Sequence, residues 1–413
     1  MNRNANIQKA KHFRFLRSVF WLGFSAFGGP QMHLPYFQKR LVEKKKYITQ
    51  EELIEINAFC SILPGPSTTQ TITAIGLKLG GPILAFFTLL AWALPGALIV
   101  TLFALSPNFL QSQQLQNIEA CVAGFLIYAV YSMFKWMKPT KLNIAIFVFG
   151  GIGGFLFRSP WIFPIGVIIS AAVSAWLVTD NAPIQRKASL PIKWRNLTIF
   201  ITIFAVVGLT GLFLTKYKTE SKLLKPLILF ENTYRMGALS FGGGNVLAAM
   251  TVEQYVHHKK RMSLDELNTG IGLVQALPGP NFNLAVYTNT IAMKNNGAGI
   301  GGQLLGSLIG LIAVFMPGTL LVLFAFPIWE RLKNSVYLQR SISGIFAMSV
   351  GFILTAALII NQNFIINLNK VNNPTQFWIQ IFVCFATVGM LMSKKVPTPF
   401  IVIFAIILGW LIP

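Results

Sequence analysis

Leu63-Pro64-Gly65-Pro66 returns as Leu277-Pro278-Gly279-Pro280, 214 positions further along the chain. The same offset pairs Phe27-Gly28-Gly29 with Phe241-Gly242-Gly243. Between the two motifs it pairs Val42 with Val256, Lys45-Lys46 with Lys259-Lys260, and Glu52-Leu53 with Glu266-Leu267. An ungapped series of this kind points to duplication rather than chance. Leu94-Pro95-Gly96 answers Met316-Pro317-Gly318 at an offset of 222, so eight residues enter the second copy, around 295–302. The chain therefore reads as two homologous units, residues 1–178 and 227–413. They are joined by a linker, 179–226, whose apolar stretch 196–214 forms an extra spanning helix belonging to neither unit.

Composition says where these units live. Of 413 residues, 54% are hydrophobic and 11% charged, against about 25% charged in a soluble domain. Apolar stretches recur at 83–104, 118–133, 161–178, 196–214, 313–326, 343–360, 377–392 and 400–412. Several approach the roughly 20 residues that cross a hydrocarbon core. Backbone polar groups in lipid must be satisfied within the segment, so these runs are helices, and the alternating segments of a porin-like barrel are missing. The expected fold is an all-α integral membrane protein of two multi-helix repeats, with about 10–13 membrane segments, some broken or re-entrant. The basic N-terminus ahead of 19–27 is signal-like but lacks a cleavage pattern, and is read as a retained first helix. If each unit crosses an even number of times, the linker helix inverts the second, as in many transporters. Inversion is the reading adopted, although basic clusters at 44–46 and 259–261 then face opposite sides, against the positive-inside bias.

The net charge of +22, from 34 Lys and Arg against 12 Asp and Glu, lies in short runs between apolar spans. These are flanks that attract anionic lipid, and they raise anion concentration at a pore mouth; nucleic acid is not an expected partner. Cys60, Cys121 and Cys384 are scattered, and the four histidines show no ligand spacing, so no metal, cofactor or disulfide framework is expected. Gly-rich stretches lack the Gly-Lys-Ser/Thr of a nucleotide loop. A membrane-embedded enzyme would need a His/Asp/Glu or Cys constellation that this chain lacks. Carboxylates are scarce within the spans, which favours an anionic or neutral solute over a cation.

Two motif types carry the chemistry. Gly28-Gly29 and Gly242-Gly243, followed by Asn245, permit a helix break near the end of an apolar run. Pro64-Gly65-Pro66 and Pro278-Gly279-Pro280 each end one helix and open another. Ser67, Thr68, Thr69 and Gln70 then fall in the first new helix, and Asn281 and Asn283 in the second. Fresh helix N-termini with hydroxyl or amide side chains are anion sites that need no Lys or Arg. Lys78 and Lys294, near the far ends of these short helices, either snorkel to the interface or contact the anion. His33 and Glu253 are further candidates for anion or proton contact.

With His33, the Glu43-Lys44-Lys45-Lys46 run, Gln70 and the Pro-Gly motifs in this order and spacing, the chain resembles the chromate transporter family in its long form with two fused domains. The resemblance covers both units, most clearly their first halves. It implies gradient-driven efflux of chromate, a tetrahedral dianion close in shape to sulfate, across a bacterial plasma membrane. The residues alone reach an oxyanion or a neutral solute, carried by a secondary transporter or, alternatively, an anion channel on the same fold. A homodimer is entertained, with no sequence signal for it.

Overall fold

A computed structural model describes residues 2–27, 30–106, 112–157, 162–178, 194–216, 225–240, 244–332, 335–368, 374–393, 395–396 and 398–411. Every regular element among them is helical. The first unit comprises α1 (Asn2–Ser25), α2 (Pro30–Phe37) running into a π-helical turn (Gln38–Lys44), α3 (Gln50–Ile62), α4 (Ser67–Leu105), α5 (Ser112–Phe134), α6 (Lys141–Phe157) and α7 (Ile162–Leu177). The linker holds α8 (Trp194–Lys216). The second unit repeats the plan with α9 (Lys225–Leu239), α10 (Gly244–Thr251), a π-helical turn (Val252–His258) and α11 (Leu264–Ala276). A 3₁₀ turn (Asn281–Asn283), α12 (Leu284–Asn295), α13 (Ile300–Leu332), α14 (Val336–Leu368), α15 (Pro374–Ser393) and α16 (Thr398–Leu411) complete it.

The repeat holds at the level of single residues. Thr49 and Ser263 cap α3 and α11, each accepting from the amide three residues on, at 3.2 and 3.1 Å. Glu52 and Glu266 reach back to the capping amides at 3.0 and 2.8 Å. A cap of this kind is worth about 1 kcal/mol. Each π-turn closes on a lysine in the left-handed region, Lys46 at φ 51° and Lys260 at φ 45°. The chain then returns a hydrogen bond from Tyr47 N–H to the Leu41 carbonyl (2.8 Å) and from Arg261 N–H to that of Tyr255 (2.7 Å).

α4 is two helices, broken at Gly80-Gly81, where Gly81 has φ 77°. Gly297 at φ 76° makes the same break between α12 and α13. The extra residues of the second unit thus surround Gly297 and lengthen the start of α13, as the shift in offset predicts. Among the described residues three helices, Ser67–Leu105, Ile300–Arg331 and Pro374–Ser393, are individually long and apolar enough to cross a membrane, and shorter apolar helices accompany them. α6 shows the division of labour. Phe149, Ile152, Leu156 and Phe157 are exposed, whereas Gly150, Gly151 and Gly154 lie against Met348, Leu354 and Thr355 of α14. Small residues permit such close helix approach in lipid. The protein is an all-α membrane protein of two repeats.

The units are not side by side but interlocked. α14, from the second unit, packs on α6 and α7 of the first; α5, from the first, packs on α15 and α16 of the second. α3 likewise meets α14, and α11 meets α5. α1 lies along α4 and α9 along α13, with Gly23 under the Trp92 carbonyl and its equivalent Gly237 under that of Val314. The linker helix α8 joins α9 and α13.

A non-glycine residue at left-handed φ costs about 1–2 kcal/mol. Lys46→Gly and Lys260→Gly should therefore each raise the thermal midpoint of the detergent-purified protein, by about 1 kcal/mol of stability. An unchanged or lower midpoint would show that the lysine side chains outweigh the backbone strain.

Candidate functional site

At both Pro-Gly-Pro loops the prolines remove amide donors, and the central glycine turns the chain with positive φ, 113° at Gly65 and 103° at Gly279. Only glycine adopts such angles without strain. Each glycine amide is satisfied by the opposite unit. Gly65 N–H donates to the Ser240 carbonyl at 2.7 Å, and Gly279 N–H to the Ala26 carbonyl at 3.1 Å. Ala26 and Ser240 are themselves equivalent across the repeat, at the offset of 214. The other wall is crossed too: Gly65 abuts Gly318 of α13, and Gly279 abuts Gly96 of α4. The two chain breaks thus meet in one junction made reciprocally by both units.

The helices that start here are built differently from those that start at the surface. Pro66 is the N-cap of α4 and Pro280 that of the 3₁₀ turn, neither with a side-chain cap, whereas α3 and α11 carry full capping boxes. Uncapped amides at a helix start remain donors with partial positive charge.

Polar side chains line the junction. Thr69 is buried and its hydroxyl accepts from the Trp92 indole at 3.2 Å. The Thr68 hydroxyl lies 3.1 Å from His33 Nδ1. His33 is fully buried, edge-on to Trp92 with centroids 4.8 Å apart, and Phe37 packs on both rings. The imidazole also lies beside the Gly279 backbone, so it bridges the start of α4 and the loop of the second unit. Gln70 Nε2 donates to the Pro64 carbonyl at 2.8 Å and approaches that of Gly318 at 3.5 Å. Asn283 Nδ2 reaches the Ala93 carbonyl at 3.5 Å. Ser67 is half-buried, its carbonyl accepting from Thr71.

Four buried atoms at this junction have no hydrogen-bond partner: His33 Nε2, Gln70 Oε1, Asn281 Oδ1 and Asn283 Oδ1. A buried polar group without a partner costs about 1–3 kcal/mol, and few proteins keep several together. Gln70 and Asn283 each give an N–H to a backbone carbonyl, and an amide NH2 has a second hydrogen to give. The junction can therefore take a polar solute with several acceptor atoms, using the remaining N–H groups of these side chains and of Asn281 and the uncapped amides of two helix starts.

The remaining predicted residues fall elsewhere. Lys78 pairs with Glu52 at 3.0 Å, which ties the end of the first half-helix to the cap of α3 and keeps this charge away from the breaks. Lys294 is exposed at the end of α12. Gly28, Gly29, Gly242 and Gly243 lie outside the described residues, as do the side chains of Asn245 on α10 and Glu253 on the second π-turn. Sequence reading passed over Trp92, Ala26 and Ser240 as site residues. It noted Gly96 and Gly318 only as repeat markers, although their recurrence was the available signal.

The model of chromate transporters matches residues 13–176 and 227–410, both halves of the interlocked structure. The chain belongs to the chromate transporter family. Among relatives of this chromate transporter family member is an uncharacterized transporter of Methanocaldococcus jannaschii, 24% identical over 96% of this chain and 93% of its own. A chromate transport protein of Cupriavidus metallidurans is 22% identical over 94% of this chain and 90% of its own. A probable chromate transport protein of Synechococcus elongatus is 22% identical, covering 94% and 92%. No solved structure matches. The protein is a membrane transporter by family, and the crossed junction is its candidate site.

The two glycines that close the junction differ in tolerance. A Cβ on Gly96 would sit 2.4 Å from the Pro278 carbonyl oxygen, while one on Gly318 would meet Gln70 Nε2, the end of a flexible side chain, at 3.0 Å. Gly96→Ala should abolish transport or folding, and Gly318→Ala should lower transport only a few-fold, as read by flux normalised to membrane-inserted protein. The reverse order would contradict the crossed packing.

Proposed function

We propose that this protein is a secondary active transporter that exports chromate, or a closely similar tetrahedral oxyanion, across the plasma membrane of a bacterium. One observation carries the reading: each unit's chain break is completed by the other unit, in a buried junction with unpartnered polar side chains and uncapped helix starts. Oriented amides and neutral side-chain donors suit a tetrahedral dianion, because they replace its hydration without fixing it in a permanent ion pair. Relatives named as chromate transport proteins support chromate as the solute.

In the proposed mechanism the anion takes donors from the starts of α4 and α12, from Thr68 and Thr69, and from the amides of Gln70, Asn281 and Asn283. Trp92 holds Thr69, and His33 spaces the two breaks. Because the backbone hydrogen bond that closes each break comes from the other unit, a rocking motion between units opens one side as it seals the other. Reciprocal contacts of this kind support a two-fold relation, and with α8 between the units the proposed topology inverts the second.

Purified protein in proteoliposomes should move chromate down an imposed ion gradient, with sulfate competing, at saturable carrier rates. Electrogenic flux far above carrier rates would assign a channel instead, and no chromate flux by correctly inserted protein would remove chromate as the solute. Asn283→Ala should lower flux about tenfold, the loss of roughly one charge-assisted hydrogen bond, with the amount of inserted protein unchanged. Equal loss of flux and insertion would return Asn283 to a purely structural role.

A further inference from the structure

At one buried layer the second unit is polar where the first is apolar. Thr233, Tyr255 and Asn289 are fully buried and joined: Tyr255 Oη donates to Asn289 Oδ1 at 2.6 Å, and Asn289 Nδ2 donates to the Thr233 hydroxyl at 3.0 Å. At the equivalent positions the first unit has Val19, Leu41 and Ile75, equally buried. Around this triad the second unit also places Glu231, Asn232, Arg235 and Arg261, where the first has Arg17, Ser18, Trp21 and Tyr47. The layer is apolar or mixed in the first unit and a polar cluster in the second.

Its internal bonds account for part of the cluster. Arg235 Nε donates to Glu231 at 3.0 Å and Arg235 Nη2 to Asn232 Oδ1 at 3.2 Å. The Arg261 guanidinium lies 5.1 Å over the Tyr255 ring. Two buried atoms are left without a partner, Asn232 Nδ2 and Arg261 Nη1, and Asn232 is only 2% exposed. Both are donors. At the crossed junction three of the four unpartnered atoms are amide oxygens; here an acceptor is what the groups lack.

The cluster lies near the crossed junction. Arg235 precedes Ser240, which touches the Gly65 break, by five residues, about 7.5 Å along α9. Arg261 stands at the outer edge, half-buried, its carbonyl accepting from Asn295 at 3.1 Å, and Lys225 meets Asn296 at 2.9 Å on the same end of the unit. Glu231 balances Arg235, and Glu266 is engaged by its cap and by Asn295. Among the described side chains Arg261 meets the Tyr255 ring and makes no ion pair within the cluster.

We propose that Asn232, Arg235, Tyr255 and Arg261 form a second oxyanion site, a waiting position between one mouth of the protein and the crossed junction. The proposal rests on the oxyanion reading above. A free anion fits better than a lipid headgroup, because Asn232 is closed off from the surface, although Arg235 and Arg261 are both partly accessible. Such a site on one unit only gives the two mouths unequal affinity for the solute.

The test is equilibrium dialysis of chromate, read by its own absorbance, against protein in phosphatidylcholine nanodiscs. Two bound equivalents per chain are expected. Asn232→Leu and Arg261→Gln should each remove one, weakening it at least about tenfold, and raise the KM for flux with little change in maximal rate. Asn283→Ala should remove the other. Arg261→Gln, at the half-exposed edge, decides the matter if Asn232→Leu does not insert, and Arg261→Lys should restore binding in part. One equivalent in the wild type, lost in Asn283→Ala and untouched by Arg261→Gln, overturns the waiting site and leaves the transporter standing. No binding at all overturns both. Loss of the second equivalent in phosphatidylglycerol nanodiscs assigns the cluster to a lipid headgroup and also overturns the proposal.

Discussion

A backbone amide stranded in hydrocarbon is the costliest ordinary defect a membrane protein can carry. This chain places two helix breaks, with two prolines each, inside its protein interior. The hydrogen bonds from Gly65 to Ser240 and from Gly279 to Ala26 make that arrangement tenable, and they do so across units rather than within them. Once each break depends on the other unit for its partner, the neighbouring features follow. The facing residues are glycines, Gly96 and Gly318, because backbone must meet backbone. The helices that lead out of the breaks start uncapped, because the N-cap residue of each is a proline with no polar side chain to give.

Symmetry at the backbone is accompanied by asymmetry in side chains. His33, Thr68 and Trp92 of the first unit correspond to Leu247, Phe282 and Val314 of the second. The first unit thus contributes the aromatic and hydroxyl wall of the junction, and the second contributes the amides of Asn281 and Asn283. The reverse holds further out, where the second unit is polar at the Thr233–Tyr255–Asn289 layer and the first is apolar. A duplicated scaffold with exchanged chemistry is suited to vectorial work, because the two faces of the site are no longer equivalent even though the motion that exposes them is shared.

Much of the fold was legible in the chain itself, for identifiable reasons. The repeat, the capping boxes of α3 and α11, the break at each Pro-Gly-Pro and the insertion near Gly297 are all local, and local chemistry leaves marks at fixed spacing. The lysines that end both π-turns were visible only as a matched pair, since nothing in Lys46 or Lys260 announces a positive φ. Trp92 gave no sign, because an indole in an apolar run is the common case and its role depends on Thr69, which lies on the other half of a broken helix. Lys78 had two open readings until Glu52 proved to be its partner. The interlocking of α5 and α14 was beyond reach: α5 pairs with helices of the other unit that have the same composition as its own, so no pattern distinguishes the two choices.

That interlocking has a consequence for how the molecule comes to exist. α6 and α7 leave the ribosome early but find their main packing surface on α14, which begins at Val336. α5 waits still longer, for α15 and α16 at the far end of the chain. Until α14 is synthesised, the glycine face of α6 has no lasting occupant other than lipid or a chaperone. Biogenesis is therefore a single closing event near termination, and truncation products of any length should be substrates for membrane proteolysis rather than stable halves.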